Sequence, residues 1–268
     1  MINRIKKIKV VRKLHEQFRI CSVRIAVIKY KHWFDLINHF NIDITDQYTN
    51  FKLTTNYLKL ATKALHAFQL KLIHRTFFYS LLKEDQKKEF KILDFGDSSG
   101  THCRYIKKLY PYYGIKTLSV NIDQNAINRI KENGLDAINS EIQESWMFTN
   151  YDLAMSFQVF EHLENPIKAL RDIKGITNRL IITVPYIKKS GIGIQDFNNI
   201  NPENTHLFLL CPNDWGKLFR YTGWKVRHEE IYYQYPRRIP LLSWLLKKYW
   251  KWIDYEGFYG VILEKEIR

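Results

Sequence analysis

Cysteine is scarce in this sequence. Three occur among 268 residues, at Cys21, Cys103 and Cys211. Three separated thiols cannot build a disulfide framework, and their spacing is not that of a thiolate zinc site. The sequence therefore indicates a reducing, cytoplasmic environment.

Long uncharged apolar runs are absent as well. A membrane-spanning helix needs about 18 or more such residues, and no stretch of this sequence reaches that length. The N-terminus carries a charge every two or three residues, so it lacks the apolar segment of a signal peptide. We expect a protein that is dissolved in the cytoplasm or bound peripherally to the inner face of a membrane.

Glycine and proline do not occur between Met1 and Glu89. Helix breakers are therefore missing, and apolar residues recur at spacings of three and four from Leu58 to Phe77, which predicts helices. Polar residues at 43–50 predict a break between two of these helices. We assign residues 1–88 to a basic helical N-terminal extension.

Acidic residues are almost missing from the first 31 positions, which contain ten Lys or Arg and one acid, Glu16. The whole chain has a formal net charge of +15, so much of the excess lies in this segment. Such asymmetry indicates an anionic partner, which could be a membrane surface, nucleic acid or a phosphorylated substrate. A solvated helix face would give the same pattern.

Short apolar runs alternate with helical patterns between residues 90 and 230, which is typical of a parallel sheet with helical connections. A similar run lies near the C-terminus. The hydrophobic content of 46% is sufficient for a full core. The runs are Phe90–Phe95, Thr117–Ile122, Leu153–Ser156, Leu180–Val184, Trp224–Arg227 and Phe258–Leu263.

A turn of small residues follows the first run, from Asp94 to Gly100, and a helical pattern begins at Thr101. Glycine and serine let a backbone approach a ligand closely, and a helix N-terminus offers free N–H groups. The turn therefore predicts a nucleotide-like ligand, although an ordinary strand–helix connection would look similar.

The end of the second run carries a further polar side chain. Asn121 lies about 20 residues beyond the turn, where such folds place a group against ribose hydroxyls. Asp123 lies two residues further on. Either residue could contact a ribose, and either could instead cap the helix that follows.

Four segments follow one another in order within residues 89–230. Leu93–Gly100 has the pattern acid-x-Gly-x-Gly-x-Gly, with Ser98 at the middle glycine. Tyr151–Pro166 contains Glu-His-Leu, Ala169–Pro185 holds a helix and an apolar run, and Thr205–Trp224 contains His206-Leu207-Phe208 and a Gly-aromatic pair. Together they resemble the motifs of class I S-adenosylmethionine-dependent methyltransferases, in the small-molecule branch of that family.

The resemblance implies an α/β fold. Its core would be a Rossmann-like, seven-stranded, mostly parallel sheet with helices on both faces, preceded by the N-terminal helical extension. The methyltransferase domain would span residues 89–268, with an aromatic and basic insertion at about 232–256. The implied activity is methyl transfer from S-adenosyl-L-methionine to a small-molecule, sugar or lipid-linked acceptor.

The resemblance also implies which residues bind the cofactor. The turn would line its methionine end, Asn121 its ribose, and Glu141 the adenine amine. Residues at the end of strand four would lie at the carboxyl edge of the sheet, where open α/β sheets hold ligands. The full set is Asp94, Gly96, Ser98, Gly100, Asn121, Glu141, Ser156, Phe157 and Gln158. Three positions depart from the family pattern: Ser98 replaces a glycine, and Asn121 and Asn165 replace acids.

Two histidines are candidates for catalysis. Methyl transfer needs a base when the acceptor is an alcohol or a protonated amine, and imidazole titrates near neutral pH. His162 follows strand four and His206 lies in the loop after strand five, with Tyr186 as a further pocket residue. Glu161 and His162 could equally bind the neighbouring loop as parts of a helix start. No acid cluster indicates a magnesium site, and no metal is predicted.

The absence of two known motifs narrows the range of possible acceptors. Strand four is followed by Ser156-Phe157-Gln158-Val159 and not by the Asn/Asp-Pro-Pro-aromatic motif of exocyclic adenine methyltransferases. None of the cysteines stands where a pyrimidine-C5 enzyme has its nucleophile. A small molecule, a sugar or a lipid-linked precursor is therefore the expected acceptor.

Aromatic residues alternate with Lys and Arg in residues 232–253, as in helices that lie at a membrane interface. With the basic segment 1–31 this would give two weak anchors on an anionic membrane, although the aromatics could instead form a lid over the active site. An RNA methyltransferase that holds phosphates with residues 1–31 is the rival enzyme. A catalytically degenerate cofactor-fold binding protein is the non-enzyme alternative, and we favour the membrane surface over nucleic acid.

Overall fold

A computed structural model shows how the chain folds. It describes residues 2–44, 55–77, 89–142, 150–193, 206–237, 240–252 and 256–266, without the side chains of 2–12, 240, 251 and 252. The helix break predicted at 43–50 lies mostly outside the described residues.

The described part of the N-terminal region is helical, as predicted. Helix α1 spans Ile2–Ala26 and runs through a 3-10 turn into α2, Lys31–Phe40. Helix α3 spans Asn56–Thr76, and its first turn is capped by the Thr55 hydroxyl, which accepts from the Leu58 N–H at 3.1 Å.

Seven strands form one sheet in the order β3-β2-β1-β4-β5-β9-β8. The pairs from β3 to β5 are parallel, and β5-β9 and β9-β8 are antiparallel. Strands β6 and β7 form a separate short ribbon. The strands are β1 Glu89–Phe95, β2 Gly114–Asn121, β3 Asp136–Asn139, β4 Leu153–Phe157, β5 Arg179–Pro185, β6 Gly191–Ile192, β7 Phe208–Leu209, β8 Trp224–Tyr233 and β9 Gly257–Lys265.

The predicted seven-stranded, mostly parallel, Rossmann-like sheet is confirmed, and five of the six predicted apolar runs lie wholly within its strands. The sixth, Thr117–Ile122, extends one residue beyond the end of β2. Strand β3 was not predicted, because it has four residues and its two ends are exposed. The strand order reverses between β1 and β4, and ligands of open α/β sheets bind at such a point, beyond the carboxyl ends of the strands.

Helices cover both faces of the sheet. One apolar cluster joins alternate residues of the central strands to the N-terminal helices, and a second joins the other residues to α6 and α7. Asn165, which replaces an acid of the family motif, caps α6 by accepting from the Lys168 N–H at 2.9 Å. The remaining helices are α4 Thr101–Leu109, α5 Gln124–Glu132, α6 Pro166–Ile176, α7 Pro212–Tyr221 and α8 Pro240–Trp252.

Helix α3 packs directly on the sheet. A Cβ at Gly260 of β9 would lie 2.6 Å from side-chain atoms of Leu72 and Phe68, so a glycine is needed for this approach. Helix α3 falls within the predicted extension, but its buried side chains share one core with strands β1, β4, β5 and β9. The division of the chain at residue 88 stays a prediction.

The aromatic segment between β8 and β9 folds back on the N-terminal helices. The Trp250 indole donates to the Ser22 hydroxyl at 2.9 Å, and that hydroxyl donates to the Gln234 carbonyl at 2.7 Å. Tyr57 donates to the Gln234 side chain at 3.0 Å. Among the described residues, no helix is long and apolar enough to cross a membrane.

Candidate active site

The loop between β1 and α4 depends on two glycines with positive φ. Gly96 has φ 80° and Gly100 has φ 73°. A Cβ at either position would lie 2.2 Å from a side-chain carbon, of Val159 at Gly96 and of Leu135 at Gly100. Ser98 is absent from the described non-glycine residues with positive φ, so a serine fits there without backbone strain.

Asp97 holds this loop together, a role that the sequence analysis did not predict. One carboxylate oxygen accepts from the N–H groups of Ser99 at 3.1 Å and Gly100 at 2.8 Å. The other accepts from the Ser119 hydroxyl of β2 at 2.8 Å. An acid followed by Ser-Ser-Gly is a signal for such a turn, but the contact with Ser119 spans 22 residues and is visible only in the fold.

Asp94 lies behind the loop with 2% of its surface exposed. Burial and the nearby charge of Asp97 raise the pKa of Asp94 well above its ordinary value, and burial also raises the pKa of Asp97 against the effect of its hydrogen bonds. Among the described residues, no Lys, Arg or His forms an ion pair with either acid, and the largest causes of the two pKa shifts include no cationic side chain. The loop is therefore suited to a ligand that brings positive charge.

Asn121 braces the loop from the end of β2. Its amide donates to the Asp97 carbonyl at 2.8 Å, and its oxygen accepts from the Asp123 N–H at 2.9 Å. The structure thus brings Asn121 beside the turn, and its oxygen keeps a second lone pair that a ribose hydroxyl could use. Asp123 caps α5 by accepting from the Asn125 N–H at 2.9 Å.

An apolar residue next to Asn121 was missed by the sequence analysis. Ile122 is 71% exposed at the carboxyl edge of the sheet, and its carbonyl accepts from the Asn139 amide at 3.0 Å. An isoleucine exposed between polar neighbours at a ligand-binding edge is a candidate contact for a flat ring. Glu141, the predicted adenine contact, is exposed just beyond β3 on the same edge.

The end of β4 reaches the same loop. Ser156 is fully buried, and its hydroxyl donates to the Phe95 carbonyl at 3.4 Å. Gln158 has φ 59°, which is costly for a residue with a side chain. Its N–H donates to the Thr183 carbonyl at 2.8 Å. This turn leads into Val159, which packs against Gly96.

A buried polar row from α3 forms the back of the site. The Gln69 amide donates to the Thr183 hydroxyl at 3.0 Å, and the Gln69 oxygen accepts from His102 Nε2 at 2.9 Å. Burial lowers the pKa of His102 well below its ordinary value, so the ring is neutral. The His102 ring lies 4.6 Å from that of Phe157, a predicted cofactor residue.

The two predicted catalytic histidines lie side by side. The ring centroids of His162 and His206 are 4.7 Å apart. Burial, together with the charge of His162, lowers the pKa of His206 to about 4. The structure therefore brings both residues to one place beyond β4, and their catalytic role stays a prediction.

Glu161 lies beside the two histidines, with one carboxylate oxygen within 4.8 Å of a ring nitrogen of each. It is 1% exposed, and its Oε1 lies 4.0 Å from His162 Nε2. Burial raises the pKa of Glu161 to about 8. No other described residue donates a hydrogen bond to either of its carboxylate oxygens.

Tyr186 lies after β5, where its N–H donates to the Gly257 carbonyl at 2.8 Å. Its ring is 5.4 Å from that of Tyr233. Nearby, the Tyr235 hydroxyl donates to Glu256 at 3.2 Å, and Lys188 pairs with the same carboxylate. These side chains form an aromatic and polar wall beside the predicted ligand edge.

A family model described as a methyltransferase domain matches residues 62–229, which includes α3 from its second turn and the sheet as far as β8. A comparison with curated protein sequences finds no significant match.

Solved structures with a similar fold share little sequence. The (4+2)-cyclase SpnF is 13% identical, with 91% of this chain and 97% of that chain covered and a TM-score of 0.55. Magnesium protoporphyrin IX methyltransferase from Synechocystis PCC 6803, solved with S-adenosylhomocysteine, is 10% identical over 87% and 94% of the chains, with a TM-score of 0.54. The O-methyltransferase of a Brevibacillus brevis polyketide multienzyme, in complex with S-adenosyl-L-homocysteine, is 16% identical over 82% and 81%, with a TM-score of 0.53.

Proposed function

The chain belongs to the methyltransferase-domain family whose model matches residues 62–229, and we propose that it transfers the methyl group of S-adenosylmethionine to a small-molecule acceptor. The observation that carries this proposal is the β1–α4 loop. Its two glycines permit close approach of a ligand, and a cationic ligand would favour the ionised form of the buried Asp94, whose pKa is raised by burial and by Asp97.

S-adenosylmethionine matches this loop in charge. Its ammonium and sulfonium groups are both cationic, so they would favour the ionised form of Asp94 that burial opposes. Asp97 already accepts hydrogen bonds from Ser99, Gly100 and Ser119, so its part is to fix the loop. Along the same edge, Asn121 and Glu141 remain the candidates for the ribose and the adenine amine, and Ile122 for the face of the adenine ring.

The reaction is a single in-line displacement. A lone pair on the acceptor forms a bond to the methyl carbon, the carbon–sulfur bond breaks, and its electrons remain on sulfur, which gives S-adenosylhomocysteine. Positioning of the two reactants supplies most of the rate enhancement in such a step. A hydroxyl or ammonium acceptor must also lose a proton, and His162 is the candidate to receive it.

Calorimetry with S-adenosylhomocysteine tests the cofactor assignment. We expect one site per chain and at least about tenfold weaker binding in Asp94→Asn, which removes a charged partner of the ligand. The control is Asp172→Asn, which changes an acid on α6 that pairs with Lys168 away from the loop. Equal binding by Asp94→Asn and wild type would place the cofactor elsewhere.

A turnover assay separates methyl transfer from other uses of the fold. SpnF is described as a cyclase, so the fold alone does not show the reaction. We expect the enzyme to convert S-adenosylmethionine into S-adenosylhomocysteine when it is given a small-molecule extract that contains the acceptor. Cofactor binding without turnover on any acceptor fraction would favour a degenerate binding protein.

The finer proposal concerns a surface formed by α1 and α8, which we call the α1–α8 ridge. Helices α1 and α8 touch where the Phe18 and Tyr249 rings lie 4.8 Å apart. Exposed apolar side chains flank this contact, and Lys13, Lys247 and Lys248 are exposed among them. The apolar members are Leu14, Phe18, Leu241, Trp244 and Leu245.

We propose that the α1–α8 ridge contacts an anionic lipid surface. Aromatic and aliphatic side chains enter the interfacial region of a bilayer, and each nearby base adds about 1 kcal/mol of attraction. Part of the charge in this region is already used within the protein: Arg19 lies 3.6 Å over the Tyr57 ring, and Lys29 pairs with Glu230. The anionic headgroups would therefore contact the exposed lysines of the ridge.

Vesicle sedimentation tests this surface. Wild-type protein should bind vesicles of phosphatidylcholine with phosphatidylserine better than phosphatidylcholine alone, and Trp244→Ala with Leu245→Ala should reduce that binding. The control is Tyr112→Ala, which removes a 96% exposed aromatic side chain from the loop between α4 and β2. No binding to anionic vesicles at low salt would reject the lipid surface, and salt-sensitive RNA binding would favour the nucleic-acid reading.

A further inference from the structure

Three side chains with metal-binding atoms converge beyond β4. Glu161, His162 and His206 each offer one ligand atom, and these atoms all lie within 4.8 Å of one another. Two of the residues are adjacent in the 3-10 turn Phe160–His162, and the third comes from the chain before β7. The fold therefore brings together residues that are 44 positions apart in the sequence.

The carboxylate of Glu161 lacks the partners that its burial requires. It is 1% exposed, and no other described residue donates a hydrogen bond to either oxygen. A buried acid without a donor is unfavourable unless it is protonated or meets a cation. Among the described residues, no Lys or Arg forms an ion pair with it.

The position of His206 is fixed by the same turn. The Leu207 N–H donates to the Glu161 carbonyl at 2.7 Å, and the Gly193 N–H donates to the Leu207 carbonyl at 2.9 Å. A Cβ at Gly193 would lie 1.8 Å from the His206 carbonyl, so only glycine allows this approach. Direct backbone contacts thus connect Glu161 to the chain beside His206 and that chain to Gly193.

We propose that Glu161, His162 and His206 bind a divalent cation of the Mn²⁺, Co²⁺ or Zn²⁺ type. Two imidazoles and one carboxylate form a donor set for such ions, whereas Mg²⁺ and Ca²⁺ prefer oxygen ligands alone. Three protein ligands leave coordination positions open for another molecule. No metal was predicted from the sequence, which has no cluster of acids for a magnesium site, and the present set contains only one acid.

The role of the ion rests on the proposed function. The turn that carries Glu161 and His162 follows Val159, which packs on the cofactor loop at Gly96. A hydroxyl oxygen of the acceptor that fills an open coordination position loses its proton to solvent more readily, because the bound cation stabilises the oxyanion. That oxygen then forms the bond to the methyl carbon while the carbon–sulfur bond breaks. In this arrangement neither imidazole has to act as the base.

Titration with Co²⁺ tests the site directly, with any affinity tag removed. Wild-type protein should bind one equivalent and develop visible d–d absorption. Glu161→Gln and His206→Ala should each weaken binding by at least about tenfold. The matched control is His39→Ala, which removes an exposed histidine at the end of α2 and should leave the titration unchanged.

Thermal denaturation shows whether a variant that loses metal binding is still folded. Glu161→Gln keeps the shape of the side chain, so it should unfold cooperatively in the presence of EDTA. Zn²⁺ should raise the midpoint of wild type and not that of Glu161→Gln, because only a ligand that binds the folded state stabilises it. Metal binding that is equal in wild type, Glu161→Gln and His206→Ala would overturn the proposal, as would absence of binding to wild type.

Binding of S-adenosylhomocysteine in EDTA separates this inference from the proposed function. Cofactor binding without metal binding would reject the cation site and leave the methyltransferase proposal standing. Metal binding without cofactor binding would support the cation site and reject the proposed cofactor.

Discussion

Ser98 occupies the middle glycine position of the family motif, at the centre of the loop that faces the cofactor edge. Its backbone is not among those with positive φ, whereas Gly96 and Gly100 on either side of it are. The left-handed conformation costs a residue with a side chain about 1 kcal/mol or more. The loop therefore needs glycine at two positions and tolerates serine at the third.

This difference predicts a small effect for one loop variant and a large effect for another. Ser98→Gly should bind S-adenosylhomocysteine within about twofold of wild type and lose up to about 1 kcal/mol of unfolding free energy through greater freedom of the unfolded chain. Gly96→Ala should lose about 1–3 kcal/mol or more, because φ is positive and the Cβ would overlap Val159. Urea denaturation and calorimetry measure both effects. Tighter cofactor binding by Ser98→Gly would contradict this view of the loop.

At the residue scale, the loop and the histidines could be recognised from the sequence, whereas the residues that hold them in place could not. Gly96 and Gly100 lie in the loop with positive φ, and His162 and His206 lie side by side, while their functional roles stay predictions. Asp97 was missed because its partner Ser119 belongs to the next strand, and Gln69 because its partner Thr183 is 114 residues away. Contacts of that kind depend on which strands and helices are neighbours, and no local pattern encodes them.

The attachment of the N-terminal helices to the sheet includes one partly buried ion cluster. Glu230 of β8 accepts from Lys71 of α3 at 2.7 Å and from the Tyr30 hydroxyl at 2.9 Å, and it pairs with Lys29. His228 Nε2 lies 3.6 Å from the same carboxylate. The carboxylate thus joins three elements that are distant in the sequence.

This cluster predicts a pH-dependent contribution to stability. Burial raises the pKa of Glu230, but contacts with His228, Lys29 and Lys71 outweigh burial and lower it below the ordinary value of 4.5. Since the folded-state pKa is depressed, the contribution is present above pH 4.5 and is lost as the pH falls towards the folded-state pKa. Glu230→Gln should therefore cost about 1–3 kcal/mol at neutral pH and progressively less in acid.

Urea denaturation of wild type and Glu230→Gln at several pH values measures this contribution. The control is Asp35→Asn, which removes an exposed ion pair with Lys31 within α2 and should change stability by less than about 1 kcal/mol. A loss in Glu230→Gln that stays constant from neutral pH into acid would show that the charge of Glu230 does not stabilise the fold.

The elements themselves were predictable where their patterns are long. The doubtful run at Trp224–Arg227 is part of a ten-residue strand, and its antiparallel pairing with β9 has no local signal. The ribbon strands β6 and β7 have two residues each, too few for any periodicity, yet they position His206. The shortest elements were therefore the least predictable and lie closest to the candidate cation site.

For the molecule as a whole, the N-terminal helices complete one face of the sheet. Val23, Ala26 and Tyr30 of this region are buried in the cluster that contains α3 and the central strands. The Tyr30 ring lies 5.7 Å from Phe68 of α3 and 5.5 Å from Tyr232 of β8. The basic segment therefore belongs to the core as well as to the surface, and its deletion would not be a clean test of lipid binding.

Single substitutions on the two sides of α8 can separate a role in the core from a role at the surface. Trp250 is fully buried and donates to Ser22, while Trp244 is 52% exposed and lies under the Lys248 ammonium at 3.8 Å. Trp250→Ala should cost about 3–5 kcal/mol, because it leaves a cavity and removes the partner of Ser22. Trp244→Ala should stay within about 0.5 kcal/mol of wild type, as expected for a surface position. Urea denaturation of the two variants, with vesicle sedimentation of the same samples, assigns one tryptophan to the core and the other to the lipid-facing ridge. Similar losses of stability in both variants would mean that α8 is buried on both sides and that the ridge is not a free surface.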